Sequence, residues 1–270
     1  MRSTTERSPI RIGVSIPPQH SSYAQLRETW REAEAIGADV LYVWDHFFPL
    51  FGDPDGSHFE CWTMLAAMAE ATDRVLIGTL VSSVGYRNPN LLADMARTVD
   101  HISGGRVILG IGAGSFERDY AEYGYDFKTA PDRLHDLEKA VPIIKDRLAK
   151  LNPGPVHGAI PVLIGGTGER VTLRLVAQYA DMWNGFGDPA EAGRLNAVLD
   201  AWCTRVGRDP HEIERSFLVS EANVVEQADA YVAAGITQLI VPGLSPGPGL
   251  DVLRRLVAWR DARVEQYATS

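Results

Sequence analysis

Cysteine is scarce in this chain: only Cys61 and Cys203 occur among its 270 residues. They form no CxxC pair, so the sequence offers neither a disulfide framework nor a cysteine-based zinc site. Long hydrophobic runs are also lacking, since no stretch approaches the ~18 apolar residues of a membrane-spanning helix. The first nine residues are polar and lack the apolar core of a signal peptide. We therefore expect a cytoplasmic protein that has no membrane partner.

Positive charge is the second shortage. The chain carries 26 Lys and Arg against 35 Asp and Glu, which gives a formal net charge of −9. An acidic chain without a basic run is a poor partner for nucleic acid or for an anionic membrane. Any phosphate group that the protein binds must therefore be held locally, by backbone amides or by a few cations.

Common catalytic motifs are absent as well. The seven histidines show no HExxH motif and no paired spacing typical of a metal site, and the chain has no G-x-S-x-G elbow. Residues 53–56 begin like a calcium loop, but the later ligands are missing, so a turn is predicted there. We expect no metal site, and the missing elbow argues against the common serine hydrolases.

What the chain does have is a regular alternation of short apolar strands and longer helical patterns. The predicted strands are Ile10–Ile16, Val40–Trp44, Val75–Val81, Val107–Ile111, Pro161–Ile164, Asp181–Asn184, Arg215–Val219 and Gln238–Val241. The predicted helices are 23–36, 60–72, 90–102, 132–150, 169–180, 190–206, 224–234 and 249–266. Eight strand–helix units in a chain of this length favour a (β/α)8 barrel, or TIM barrel, as a single domain over residues 1–270.

The glycines and loops between these elements support the same fold. Gly37 and Gly235 each follow a helical pattern and precede a strand, which is typical of a helix C-terminus. Two loops, 47–59 and 113–131, are long for a compact barrel. Because both follow strands, they are expected on the carboxyl face of the barrel, where the active sites of this fold lie.

His46, in the run Trp44-Asp45-His46 after the second strand, is the first candidate site residue. An imidazole titrates near neutral pH and can act as an acid or a base. The adjacent Asp45 either orients this imidazole or accepts a hydrogen bond from a cofactor. A histidine in a surface turn is the equally open alternative.

Small residues end the third, fourth and fifth strands. Leu80-Val81-Ser82-Ser83 and Gly112-Ala113-Gly114 would let the backbone approach a flat or anionic cofactor, although a serine-rich loop and tight barrel packing explain them too. Gly165-Gly166-Thr167-Gly168-Glu169 leads into a predicted helix, where free amides and the Thr167 hydroxyl would hold a phosphate. A plain turn from strand to helix is the alternative there, and Arg170 either adds a cation or faces solvent.

Together these strand ends carry a resemblance to a known family. The motifs W-D-H-F, I-G-T-L-V, R-N-P, G-G-R-V-I-L-G-I-G-A-G, I-G-G-T-G-E-R and A-D-M-W-N occur in that order over most of residues 10–185. In this the chain resembles the bacterial luciferase-like monooxygenase superfamily, and most closely its coenzyme F420-dependent branch.

The resemblance implies a flavin or deazaflavin in the barrel mouth and a homodimer. The redox ring would lie over strand ends two to four, supported by a bulge with a cis peptide bond between Leu80 and Val81, and His46 would handle a substrate proton. The residues implied to contact the cofactor are Asp45, Leu80, Val81, Ser82, Gly112, Ala113, Gly114, Gly165, Gly166, Thr167, Gly168 and Glu169.

The chain also departs from the pattern of its relatives. Ser115 stands where the sugar-phosphate dehydrogenases of the family carry a glutamate, which argues against a sugar-phosphate substrate. The insertion before the fifth strand is shortened to residues 151–160, and the segment 220–223 is short as well.

These observations predict an F420-dependent oxidoreductase that moves a hydride between the deazaflavin and a small organic substrate. Two alternatives stay open. One is an FMN-dependent monooxygenase or reductase on the same fold, and the other is a barrel that binds a cofactor without turnover.

Overall fold

A computed structural model describes residues 10–219, 223–242 and 250–268, with side chains as far as Arg263. The strands are β1 Arg11–Ser15, β2 Val40–Val43, β3 Leu76–Thr79, β4 Ser82–Ser83, β5 Val107–Gly112, β6 Val162–Gly165, β7 Met182–Phe186, β8 Glu214–Leu218 and β9 Gln238–Pro242. The α-helices are α1 Tyr23–Ile36, α2 Cys61–Ala71, α3 Pro89–Ser103, α4 Glu117–Tyr123, α5 Ala130–Lys150, α6 Thr172–Tyr179, α7 Pro189–Val206, α8 Val224–Ala233 and α9 Leu250–Ala268. A short 3₁₀ helix covers Pro210–Glu212.

The strands close into a parallel barrel. β1 pairs with both β2 and β9, and the ring is completed where β3 pairs with β5. The two-residue β4 continues the third barrel strand upward and also pairs with β5. Eight strand positions with intervening helices confirm the predicted (β/α)8 barrel.

The barrel interior is filled by alternating strand residues. Val40 and Tyr42 of β2 point inward and pack with Ile108, Leu163, Met182 and Ile240, whereas Leu41 and Val43 face the helices. Leu80 and Val81 pack onto this inner cluster from the carboxyl end. Because the interior is a packed core and not a channel, a site can lie only above it, at the mouth formed by the carboxyl ends of the strands.

Local sequence explains where several helices begin and end. Ser22 and Gln25 form a reciprocal capping box at the start of α1, and each bonds the backbone amide of the other. The helix ends at Gly37, whose φ of +113° places it in a region that residues with a Cβ avoid. The predicted joint at Gly235 is confirmed by its bond to the Val232 carbonyl.

Three features of the chain differ from the prediction. The loop predicted over 113–131 contains α4, and helix α6 begins at Thr172, three residues later than predicted, because 166–171 form a loop. The third strand is interrupted between β3 and β4 at the Leu80–Val81 peptide, which is cis, as the resemblance implied. Of the segment 220–223, residues 220–222 lie outside the described part of the chain.

No helix in the described ranges combines the length and the apolar character that a bilayer crossing requires.

Candidate active site

An imidazole and a carboxylate meet at the barrel mouth. His46 lies just beyond the end of β2, and its Nδ1 is 2.6 Å from Oδ2 of Asp119 on α4. The His46 side chain is 17% exposed, whereas that of Asp119 is fully buried. A group open to the mouth is thus backed by a buried negative charge.

Asp119 accepts two further hydrogen bonds. The Phe47 amide donates to Oδ1 at 3.0 Å and the Tyr86 hydroxyl donates to Oδ2 at 2.7 Å. Burial alone would raise the pKa of Asp119, but the hydrogen bonds from His46, Tyr86 and Phe47 outweigh it and lower the pKa below its ordinary value. Asp119 is therefore ionised at neutral pH. Burial and the bond to Asp119 raise the pKa of the Tyr86 phenol, so this hydroxyl keeps its proton.

Asp45, the neighbour of His46, is committed to a different partner. Its Oδ2 lies 2.5 Å from Arg87 Nη1 and its Oδ1 lies 3.2 Å from Arg87 Nη2, and the residue is 1% exposed. Burial raises the pKa of Asp45, while the Arg87 guanidinium opposes the rise. Arg87 also contacts Glu60 at 2.8 Å, and Glu60 caps the start of α2. The Asp45 carboxylate thus ties the end of β2 to the segments that start α2 and α3.

An aromatic rim flanks His46. It consists of Phe47, Phe48, Tyr86, Phe116, Tyr123 and Tyr125, drawn from the two long loops and the turn before α3. Phe116 meets the His46 ring edge-on at 5.6 Å, and Phe47 stacks on Tyr123 at 4.2 Å. Tyr123 is 56% exposed. The rings that meet the imidazole are thus Phe116 and Trp44, both edge-on, with Trp44 at 6.2 Å.

The ends of the third and fourth barrel strands are tightly packed. The Trp62 indole donates to Ser82 Oγ at 3.1 Å, and Ser83 Oγ lies 2.6 Å from the Tyr120 hydroxyl. A Cβ on Gly112 would lie 2.8 Å from Val81 Cγ2, and one on Gly114 would overlap the Tyr120 hydroxyl. Barrel packing alone thus accounts for the glycines here. Of the residues predicted at these strand ends, Leu80, Val81, Ala113 and Gly114 remain partly exposed.

The loop after β6 offers backbone donors. Gly166 has a φ of +128°, its amide donates to the Asn184 carbonyl at 2.9 Å, and its carbonyl accepts from the Trp183 indole at 2.9 Å. Within the ranges that the structure describes, the next four amides, 167–170, donate to no acceptor. The Glu169 carboxylate is paired with Arg194 at 2.8 Å. This pairing reduces the repulsion between the carboxylate and an anion bound at the backbone amides. This loop can hold an anion through its backbone.

The sequence identified His46 and the loop at Gly165–Glu169, but it missed the partners of His46. Asp119 lies 73 positions away from His46, on a helix inside a predicted loop. Tyr86 and Arg87 lie between the third strand and α3. The only signal for Asp119 was that the loop 113–131 is long and follows a strand. Neither the residue type of Asp119 nor its distance from His46 along the sequence indicated a role.

The fold and the site together define a class: a (β/α)8-barrel protein whose candidate site lies on the carboxyl face. The chain belongs to the luciferase-like monooxygenase family, whose model matches residues 8–240.

Two relatives of similar sequence have names that state an activity. The chain is 34% identical over 160 residues to an F420-dependent glucose-6-phosphate dehydrogenase of Kribbella flavida, covering 57% of this chain and 47% of the relative. It is 28% identical over 258 residues to a phthiodiolone/phenolphthiodiolone dimycocerosates ketoreductase of Mycobacterium tuberculosis, covering 80% of this chain and 67% of the relative. The match to the Kribbella protein spans about half of that relative's length.

A solved structure shares the fold over nearly the whole chain. It is an F420-dependent secondary alcohol dehydrogenase in complex with an F420–acetone adduct, with a TM-score of 0.83 and 17% identity. The match covers 93% of this chain and 99% of that one.

Proposed function

We propose that this protein is an F420-dependent oxidoreductase that transfers a hydride between the deazaflavin and a small organic substrate. The observation that carries the proposal is the composition of the mouth: an imidazole–carboxylate pair, and a loop of unbonded amides after β6 on the same carboxyl face. The first group suits proton transfer to a substrate and the second suits the phosphate of a cofactor. The names of the relatives support F420 over FMN.

The residues fit such a cofactor in two places. The amides of 167–170 would bind its phosphate, with Gly165 and Gly166 shaping the loop. The partly exposed Leu80, Val81, Ala113 and Gly114 would contact the ring, while the buried Ser82 and Gly112 shape the surface from below. Asp45 would support the site from below, because its pair with Arg87 fixes the end of β2. When bound, F420 would supply a carbon that accepts or gives a hydride.

His46 is the residue for which we propose the proton-transfer role. Its partial exposure lets it reach a substrate oxygen, and the Phe116 ring packs edge-on against the imidazole. General acid–base catalysis of this kind contributes roughly 10²- to 10⁴-fold in rate.

For the substrate we propose a neutral alcohol or ketone, in contrast to the sugar phosphate of the Kribbella relative. Ser115 is one support. The second is that the two cations of the loop 113–131, and Arg133 just beyond it on α5, are already engaged. Arg118 pairs with Asp55 at 2.6 Å, Lys128 pairs with Asp136 at 2.6 Å, and Arg133 donates to the Gly114 carbonyl at 2.9 Å. A substrate phosphate entering beside the buried Asp119 charge would be repelled, and each of these three cations would have to leave its present partner to bind it.

Titration of F420 fluorescence with the purified protein tests the cofactor. Saturable quenching at micromolar protein, with weaker binding of FMN, supports the proposal. Tighter binding of FMN would favour the monooxygenase alternative, and no binding of F420 would reject the function. If F420 binds, its reduction with 1-phenylethanol and with glucose 6-phosphate tests the substrate class, and faster turnover of the sugar phosphate would contradict it.

We also propose a homodimer. α2 and α3 border an apolar groove of about 330 Å³, lined by Trp62, Ala66 and Met95 among others. Leu91 and Ile102 on its edge are 54% and 41% exposed, so a second copy would bury them. Light scattering should give twice the monomer mass, and Leu91→Glu should reduce it to that of the monomer.

A cytoplasmic location is part of the same proposal. Cys61 and Cys203 are both buried and unpaired, which suits a reducing compartment.

A further inference from the structure

We propose that Asp119 is the positioning residue of this site: it holds His46 in the tautomer with the proton on Nδ1 and leaves Nε2 as the nitrogen that exchanges the substrate proton. The inference rests on the proposed function for the identity of the reaction. The tautomer itself is a property of the chain alone.

The position of the shared proton follows from charge. Asp119 is ionised because three donors converge on it, so its oxygens only accept. The 2.6 Å contact with His46 must then be an Nδ1–H donating to Oδ2. In neutral imidazole this leaves Nε2 without a proton, with a lone pair that can act as a base.

The remaining groups around His46 leave Nε2 available. In the described part of the chain, Asp119 is the single hydrogen-bond partner of the ring. Tyr86, from the turn before α3, directs its hydroxyl to Asp119. His58, from the loop after β2, accepts from the Trp44 indole at 3.2 Å; burial and the nearby His46 lower its pKa to about 4, so it is neutral at pH 7. Neither group competes for Nε2.

The proton and the hydride then leave the substrate separately. In the oxidation of an alcohol, the C–H bond breaks as the hydride passes to the oxidised deazaflavin named in the proposed function. The O–H bond breaks as its proton passes to His46 Nε2, and the carbonyl double bond forms. The resulting imidazolium keeps its Nδ1–H on Asp119, whose negative charge stabilises it. Reduction of a ketone runs through the same positions in reverse.

Asp119 also fixes the backbone that carries the ring. The Phe47 amide, one residue beyond His46, donates to Oδ1. Side chain and main chain of this segment are thus held by one carboxylate, which limits rotation of the imidazole away from the mouth. Replacing Asp119 by asparagine leaves one acceptor oxygen for three donors and must break at least one of these bonds.

Nitrogen NMR of the cofactor-free protein, labelled with ¹⁵N-histidine, tests the tautomer directly. The His46 signals are assigned by their loss in His46→Gln. At alkaline pH, where imidazoles are neutral, we expect His46 to be protonated on Nδ1 only. Protonation on Nε2, or an even mixture of the two tautomers, would overturn the inference without the need for any Asp119 variant.

Two variants extend the test. Asp119→Asn should shift His46 towards the mixed or Nε2–H state and lower kcat roughly 10²- to 10⁴-fold, with F420 affinity unchanged. Tyr86→Phe removes a donor from the same carboxylate but keeps its charge, so His46 should stay protonated on Nδ1. A structural defect would change both variants alike and would count against the inference. Failure of F420 to bind would reject the proposed function and leave the tautomer result standing.

Discussion

The two sides of the barrel mouth are built on different principles. On the side of β2 and β5, side chains do the binding: Asp119 collects three hydrogen bonds, and Asp45 is paired with Arg87 in a nearly solvent-free position. On the side of β6, the side chain of Glu169 is turned to Arg194, and the loop presents backbone amides instead.

Under the proposed function, the difference separates a site for proton transfer from a site for an anion within one acidic protein. The negative charge buried behind His46 would repel a phosphate nearby. The phosphate site is therefore expected on the far side, where partial positive charge comes from peptide dipoles and the Glu169 carboxylate is paired with Arg194. Variants on either side should have separable effects on turnover and on cofactor affinity.

The largest difference between the effect on turnover and the effect on cofactor affinity is expected at His46. His46→Gln should lower kcat by roughly 10²- to 10⁴-fold, because the proton acceptor is lost, while F420 affinity stays the same. Steady-state kinetics and fluorescence titration measure the two quantities. His135→Gln, at a side chain 59% exposed, is the matched control and should change neither. Equal activity of His46→Gln and the wild type would remove the acid–base role.

A substitution of Arg87 tests how much the buried Arg87–Asp45 ion pair contributes to stability on the side of the mouth that carries His46. Arg87→Met leaves the Asp45 carboxylate buried without its ionic partner, so the free energy of unfolding should fall by about 3–5 kcal/mol. Denaturant unfolding measures this loss. Arg118→Met breaks exposed pairs with Asp55 and Glu122 and should lower the free energy of unfolding far less than Arg87→Met. Similar losses for both would mean that Asp45 is not the buried charge described here.

A substitution in the loop after β6 should lower cofactor affinity and leave turnover unchanged, which is the opposite of the effect expected at His46. A Cβ on Gly166 would lie 3.3 Å from Thr172 Cγ2, at a φ of +128° that disfavours alanine. Gly166→Ala should therefore weaken F420 binding about 10-fold, or ~1.4 kcal/mol, with kcat at saturating F420 preserved. Gly207→Ala is the control, since Gly207 has a φ of +72°, open space around it and a place at the end of α7. A fall in kcat without a change in affinity would contradict the assignment of this loop.

The smallest expected effect concerns acid stability. The pKa of His58 is lowered from 6.5 to about 4 by burial and by the nearby His46. As the pH falls from 6.5 towards 4, the unfolded chain gains a proton that the folded chain does not, so the wild type loses stability in this window. His58→Gln should remove about 1 kcal/mol of that loss, allowing for the partial exposure of the ring. Unfolding curves across this pH range measure it, and an unchanged slope would contradict the burial of a neutral His58.

The fold was predictable because its signals are local. Buried parallel strands give short apolar runs, and glycines such as Gly37 mark helix ends through their own backbone geometry. The start of α6 was predicted too early because Gly168 to Val171 carry no residue that caps a helix by its side chain. Helix α4 was missed because Phe116 before it makes no side-chain cap and only seven residues follow.

The site was predictable only in part, for a different reason. His46 and Gly165–Glu169 follow strands, so their place at the mouth follows from the topology. Asp119 becomes significant only when the chain brings α4 against the end of β2, and Arg87 only when Asp45 is buried beneath it. Such pairings depend on tertiary contacts between distant segments, and spacing along one sequence does not encode them.

A crystal structure with F420 bound tests the central claim most directly. The account predicts that the phosphate of the cofactor accepts hydrogen bonds from the amides of 167–170, while the redox ring rests against Leu80 and Val81 with His46 beside it. A phosphate bound next to Asp119, or a ring lying away from His46, would contradict the division of the mouth into a proton side and an anion side.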